Sequence, residues 1–167
     1  MVIFDEMDGN DIGFLFKLLN EEEIINIFHR KRFTYDELFE LYRNATNDYN
    51  DKHYIIKENN IKVGWLRING LEEEGTAWIA ILAISKEYQH KGIGTSAVKF
   101  AEEYFTKNGN RKISLHTTDD NVNAKSLYLK AGYTIINAEE KIRDNGDKVI
   151  YLTFTKDIED KNEKKKL

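Results

Sequence analysis

Two glycines two residues apart, Gly92 and Gly94, follow the apolar run Trp78 to Ile84 across a short polar connection, and a helical pattern begins at Thr95. That order can grip a phosphate. Glycines let a backbone approach a ligand closely, and a helix start offers free N–H groups and its positive dipole end to an anion. The run before them is apolar at successive positions, so it reads as an inner strand with both faces buried. Two further residues could move protons. Tyr128 is a phenol on the inward face of a short helix pattern, and His116 ends a strand pattern five residues before Asn121. A positioned phenol can donate a proton, and an imidazole can accept one near neutral pH. Each also has a plainer reading: a glycine-rich turn, a core tyrosine with a satisfied hydroxyl, a strand-end histidine. Asn121 is a good helix N-cap without any ligand.

The glycines fit two patterns. Gly92-Ile93-Gly94-Thr95-Ser96-Ala97 matches the dinucleotide fingerprint G-x-G-x-x-A, but that fingerprint needs its first glycine at the end of a strand, and here the seven residues Ser85 to Lys91 intervene. The other pattern is Gln-x-x-Gly-x-Gly, from Gln89, Gly92 and Gly94. With the strand end Leu82 to Ile84 before it, this segment resembles the acetyl-CoA-binding segment of the GNAT family of N-acetyltransferases. A second stretch, from Asn121 through Ala124, Leu127, Tyr128, Lys130 and Gly132 to Tyr133, resembles that family's later signature, with Tyr133 where the pattern has Phe. The resemblance covers about Glu74 to Thr155, and two patterns in the right order are more specific than either alone.

The resemblance implies an acetyl-CoA-dependent transfer to a primary amine, on a small molecule or a protein N-terminus, directly within a ternary complex; a catalytically silent CoA-binding domain of the same fold is the alternative. It implies that backbone groups from His90 through Lys91, Gly92, Ile93 and Gly94 to Thr95 hold the CoA diphosphate, with Gln89 in the same motif. Backbone groups of Leu82, Ala83 and Ile84 would receive the pantetheine arm and the acetyl carbonyl, Asn121 would touch CoA, and Tyr128 would protonate the departing thiolate. His116 lies where some family members carry a Glu, and is the first candidate base; Glu73, Glu74 and Asp119 are the others. One departure is Lys86, where many family members have proline. Dimerisation is common in the family, so a homodimer is one expectation.

Composition narrows the rest. The chain has 167 residues, 41 % hydrophobic and 12 % aromatic, without cysteine or proline. That suits one globular domain over residues 1–157, with a charged and disordered tail over 158–167. Lacking cysteine, the chain can form neither a disulfide nor an acyl-cysteine intermediate. Four scattered histidines give no metal-ligand spacing, so no metal is expected. A net charge of −4 argues against nucleic acid as the main partner and mildly favours a cationic small molecule. No apolar run approaches a membrane span and the start lacks a signal-peptide succession, so a cytoplasmic protein is expected.

The elements that must position these groups follow from pattern. Met1 to Phe4 reads as an edge strand. Ile12, Leu15, Phe16 and Leu19 fall at helical spacing, and Ile24, Ile25 and Phe28 continue it. The cluster His29-Arg30-Lys31-Arg32 reads as a solvated loop or as a phosphate contact. Thr34 and Glu37 make a capping box for a helix from Tyr35 to Ala45. His53 to Glu58 and Lys62 to Ile68 form a hairpin across Asn59-Asn60. The run Glu72 to Glu74 reads as a solvated turn or as an attractor for a cationic amine. The helix from Thr95 ends at Gly109, Lys112 to Thr117 is a strand, and Asn121 starts a helix stopped by Gly132. Tyr133 to Ala138 and Lys148 to Thr155 close the chain as a hairpin. The sum is an α/β sandwich, and the resemblance makes it a mixed, mostly antiparallel sheet of about six to seven strands flanked by helices, with a splayed central strand.

Overall fold

The glycine loop and the two signature helices sit on one mixed sheet of seven strands, in the order β1-β2-β3-β4-β5-β7-β6. The computed structural model describes residues 1–72 and 75–158. Strands β1 (Val2–Glu6), β2 (Asp51–Glu58), β3 (Ile61–Asn69) and β4 (Thr76–Ile84) run antiparallel, each beside the last. β5 (Lys112–Thr118) lies parallel to β4, and β7 (Lys148–Asp157) inserts antiparallel between β5 and β6 (Thr134–Ile142). A parallel pair needs a crossover connection, which helix α4 (Ile93–Lys107) supplies.

Apolar periodicity divides the helices between the two faces. α4 buries Ile93, Ala97, Val98, Ala101 and Phe105. Together with Tyr128 of α5 (Val122–Lys130), they pack on Ile56, Leu66, Ile79 and Phe154 of the sheet. On the other face α1 (Ile12–Leu19), α2 (Glu22–Ile27) and α3 (Tyr35–Ala45) cover Ile55, Trp65 and Ala83 with Leu15, Leu18, Ile24 and Leu38. Each large apolar side chain so buried stabilises the fold by about 2 kcal/mol before entropy is counted. Local signals agree with this packing. The Thr34–Glu37 capping box is formed in both directions, and Asn59 and Asn60 take the left-handed conformations of a two-residue hairpin turn.

Four details differ from the sequence reading. α4 starts at Ile93 and not at Thr95, because Gly92 takes φ 82° as its N-cap and Ile93 drops into the core. β6 runs on to Ile142, past Ala138, as Glu140 pairs with Lys148 across the hairpin at 3.3 Å. Ile158, placed at the start of the tail, is buried and donates its N–H to the Arg111 carbonyl at 2.8 Å; residues 159–167 of that tail lie outside the described residues. The fourth concerns β4, whose two faces were expected to be buried. Ala80 is exposed. The β3–β4 register pairs Arg67 with Ile81 and Ile68 with Ile79, which leaves Ala80 as an extra, bulged residue.

Candidate active site

The bulge at Ala80 coincides with a parting of strands. β4 and β5 pair from Thr76↔Lys112 to Ile79↔Leu115 and no further, whereas β3 stays paired with β4 up to Gly64↔Ile84. The Ser85 N–H donates to Val63 O at 2.8 Å, toward β3. Alternation along the strand therefore turns the Ala83 backbone to β3 as well, and the Leu82 and Ile84 backbone to the open side. Of the three residues expected to offer free backbone groups, Leu82 and Ile84 are so oriented and Ala83 is not. The Ile84 carbonyl is already engaged, since Gln89 Nε2 donates to it at 2.9 Å. Gln89 thus braces the loop against the strand end.

A cavity of about 160 Å³ occupies the parting. Its wall takes Leu19 and Phe28 from the α1–α2 side, Ala80 and Leu82 from β4, and Asn121, Ala124 and Tyr128 from the α5 side. Residues from both faces of the sheet meet in it, so the cleft passes between β4 and β5. His116, Arg30, Arg143, Trp65 and Tyr151 also line it. Tyr128 is 6 % exposed, and burial pushes its phenol well above its ordinary value. Among the described residues its hydroxyl has no hydrogen-bond partner in the protein, which sets it apart from a core tyrosine with a satisfied hydroxyl. Asn121 does cap α5, its Oδ1 accepting from Ala124 N–H at 3.2 Å, while also lining the cleft.

His116 lies between the rings of Tyr151 and Trp78, with centroids 4.8 and 4.9 Å away. Burial, then the charge of Lys141, hold its imidazole below the ordinary histidine value, against the opposing pull of a Leu152 backbone hydrogen bond and of Glu139. Its Nδ1 lies 3.1 Å from Thr153 Oγ1, and the tautomer that donates there leaves Nε2 as an acceptor. Of the other candidate bases, Asp119 pairs with Lys125 at 2.6 Å and does not line the cleft. Glu73 and Glu74 lie outside the described residues.

The glycine loop flanks this cleft and does not line it. His90 and Gly92 both have positive φ, 61° and 82°, and Gly92 makes no side-chain cap for α4. The first N–H groups of α4, from Ile93, Gly94 and Thr95, thus keep no intrahelical acceptor, and with the helix dipole they suit a diphosphate. A Cβ on Gly92 would meet nothing within 4 Å, so the loop is open above it. On Gly94 a Cβ would lie 3.1 Å from Leu127 Cδ2 and 3.7 Å from Ile84 Cδ1. Gly94 is small so that α4 can close on α5 next to Tyr128. Lys91 reaches over the Tyr88 ring, 5.1 Å from its centroid. Where many relatives have proline, Lys86 donates its N–H to Glu21 Oε2 at 3.1 Å, and Ser85 Oγ donates to Glu21 Oε1 at 2.6 Å. The loop is held by a carboxylate in place of a ring.

The basic cluster resolves into separate duties. His29 lies with Nδ1 2.7 Å from Asp147 Oδ2 and Nε2 2.8 Å from Asp120 Oδ2, which ties the end of α2 to two loops at the cleft. Arg32 donates to Asn20 O, and Arg30 turns into the cleft over Phe33. The sequence reading did not place Arg30 or Trp65 in the site and did not single out Ala80, Arg143 or Tyr151. The basic cluster was the one local signal, for Arg30; the others carry none, and Arg143 and Tyr151 join the wall only when the closing hairpin folds over the end of α2.

A glycine-capped helix start beside a bulged strand that parts from its parallel neighbour is an arrangement suited to a diphosphate-bearing ligand laid along a split sheet. The model of the acetyltransferase (GNAT) family matches residues 15–133, and the chain belongs to that family of acetyl-CoA-dependent N-acetyltransferases. Spermidine N(1)-acetyltransferase of Escherichia coli (strain K12) is 24 % identical over 131 residues, covering 77 % of this chain and 70 % of that protein. The uncharacterized protein YxbD of Bacillus subtilis is 36 % identical over 67 residues, covering 38 % of this chain and 42 % of that protein. Among solved structures, spermidine N-acetyltransferase from Vibrio cholerae in complex with CoA and spermine superposes with a TM-score of 0.83 at 20 % identity, covering 93 % of this chain and 95 % of that one. Ribosomal-protein-alanine N-acetyltransferase from Brucella melitensis gives 0.78 at 11 % identity, covering 93 % and 99 %. The doubly wound nucleotide-binding alternative falls with the topology. That fold is built on a mostly parallel sheet, and β4–β5 is the one parallel pair among the described residues.

Proposed function

We propose that the protein moves an acetyl group from acetyl-CoA directly to a primary amine while both are bound. The observation that carries this reading is the cleft through the split between β4 and β5, which Leu82, Tyr128 and His116 all line. CoA enters from the α4–α5 face, held at its diphosphate by the N–H groups at the start of α4 and along its arm by the free backbone of Leu82. The amine enters from the α1–α2 face. His116, neutral near pH 7, takes a proton from the ammonium group. The amine nitrogen then attacks the thioester carbon, the C–S bond breaks, and the sulfur leaves as a thiolate. Backbone N–H groups on the open side of β4 receive the developing oxyanion in a dry site.

Tyr128 donates to the departing sulfur. Burial raises its pKa and makes the phenol a weaker acid. The same burial raises the basicity of the thiolate beside it, since a low-dielectric site disfavours every anion. As the amide forms, its nitrogen sheds the second proton, which restores the Tyr128 phenol directly or through solvent, and the proton on His116 is lost to solvent, so the products are an amide, a thiol and one proton.

The relatives named for spermidine make a polyamine one candidate acceptor, and the likeness to a ribosomal-protein-alanine acetyltransferase makes a protein N-terminus another. Initial-velocity kinetics with acetyl-CoA and an amine tests the mechanism. Intersecting double-reciprocal lines are expected, and parallel lines would require an acyl-enzyme and overturn direct transfer.

A further inference from the structure

Three residues that line the cleft each carry a buried hydrogen-bond donor without a partner: Trp65 Nε1, Arg30 Nε and Arg143 Nε. Indole and guanidinium groups donate and cannot accept, so whatever satisfies them must bring acceptor atoms. Neither arginine has a carboxylate partner among the described residues. Arg30 lies over the Phe33 ring at 4.0 Å, and Arg143 reaches the Phe28 carbonyl at 3.4 Å and the Tyr151 ring at 5.5 Å. Among the described residues no Asp or Glu lines the cavity. Of the carboxylates on the flanking segments, Asp120 and Asp147 hold His29, Asp144 accepts the Lys31 N–H at 3.1 Å and Glu139 pairs with Lys141 at 3.2 Å, while Glu23 of α2, with Oε2 3.5 Å from Lys86 Nζ, does not line the cavity.

The geometry points to an acceptor that carries an anionic oxygen group, a carboxylate or a phosphate, received by Arg30 and Arg143 while its amine reaches the strand at Ala80 to Leu82. This rests on the acetyl-transfer reading and names its substrate class. Guanidinium groups match both anions through a planar fork of donors, and two of them without counter-charges repel a polycation. A polyamine would bring only cationic donors to Arg30, Arg143 and Trp65, whose own unpartnered atoms are donors. The acceptor class of this chain is therefore set apart from that of its spermidine-named relatives.

The test compares kcat/KM with acetyl-CoA for phosphoethanolamine against ethanolamine, for a panel of α-amino acids against their carboxamides, and for spermidine. At least one anionic acceptor should exceed its neutral counterpart about tenfold or more, as removing the acceptor of a buried charged hydrogen bond costs at least that factor. Spermidine should be the poorest. Arg30→Gln and Arg143→Gln should each erase the preference, chiefly through KM, with calorimetric CoA affinity unchanged as the control for folding. The two arms distinguish carboxylate from phosphate. Equal or better turnover of neutral amines or spermidine overturns the proposal, and so does a preference that survives both substitutions. If protein that binds acetyl-CoA acetylates no amine, the transfer reading falls, and the anion subsite is decided by titrating the same acids into CoA-bound protein. Absence of binding sinks it too, whereas binding lost in both arginine variants upholds it.

Discussion

The imidazole of His116 stacks on the ring of Tyr151, the two planes 29° apart, where β5 and β7 run side by side at the cleft. Burial there and the Lys141 ammonium both disfavour a second proton on the ring. The acidic limb of kcat/KM should thus lie below the ordinary histidine value of about 6.5. Lys141→Gln removes a positive neighbour, raises the imidazole's proton affinity, and should move that limb to higher pH. His116→Gln should remove the limb and lower kcat/KM about a hundredfold. If the limb stays where it is in both variants, another group is the base.

Tyr128→Phe isolates the hydroxyl. The ring is held by Tyr133 and Phe154, with centroids 5.7 and 5.9 Å away, and these contacts survive the change. Turnover should fall about a hundredfold while the unfolding midpoint and CoA affinity stay put. Because burial raises the phenol's proton affinity, Tyr128 should add no basic limb to the pH profile below about pH 10. Unchanged turnover removes Tyr128 from the mechanism.

How far the sequence carries can be judged from these residues. The Thr34–Glu37 box, the Asn59-Asn60 turn and the Asn121 cap are local, with donor and acceptor a few residues apart, and each forms as its spacing predicts. The run of apolar residues in β4 marked a central strand, and the resemblance implied that it splays, but neither placed the bulge at Ala80. A bulge is a mismatch in count between two strands, which neither strand's pattern contains alone. Arg30 and Arg143 are over a hundred residues apart, and they share a wall only because β6 and β7 turn back over α2. The charge of the acceptor lay in that tertiary meeting.

Acid stability should trace to Asp51. Its burial would raise the carboxyl, but His53 Nε2 at 3.2 Å and the Arg67 guanidinium at 2.7 Å outweigh burial and lower it to about 2. A depressed carboxyl contributes stability that is complete above its unfolded value of 3.8 and is lost as pH falls from there through about 2. That window is worth about 2 kcal/mol. Urea unfolding at pH 7, 4, 3 and 2 should show this decline in the wild type, and Asp51→Asn should flatten it by a similar amount. Arg67→Met at pH 7 should be the more damaging change, since it strands a buried carboxylate with one partner fewer, at a cost of about 3 kcal/mol.

Glu21 and Lys86 allow a test in which one substitution changes sign. Ser85 has φ −52° and ψ 139°, the extended conformation that a following proline requires, and Lys86 opens a short 3-10 turn. A proline at position 86 therefore fits the backbone and would reduce unfolded-chain entropy, a gain of about 0.4–1 kcal/mol. It also removes the N–H that Glu21 accepts, a charge-assisted hydrogen bond of about 1.5 kcal/mol even at a partly exposed site. In the wild type the lost bond outweighs the gain, so Lys86→Pro should lower the unfolding midpoint and raise the KM for acetyl-CoA, because the loop carries the glycine turn. In a Glu21→Ala background the bond is already gone and only the entropic term is left. There Lys86→Pro should raise the midpoint and recover part of the lost acetyl-CoA affinity. The four-member cycle, read by thermal melts and acetyl-CoA KM, decides it: destabilisation in both backgrounds would mean that Glu21 does not hold the loop.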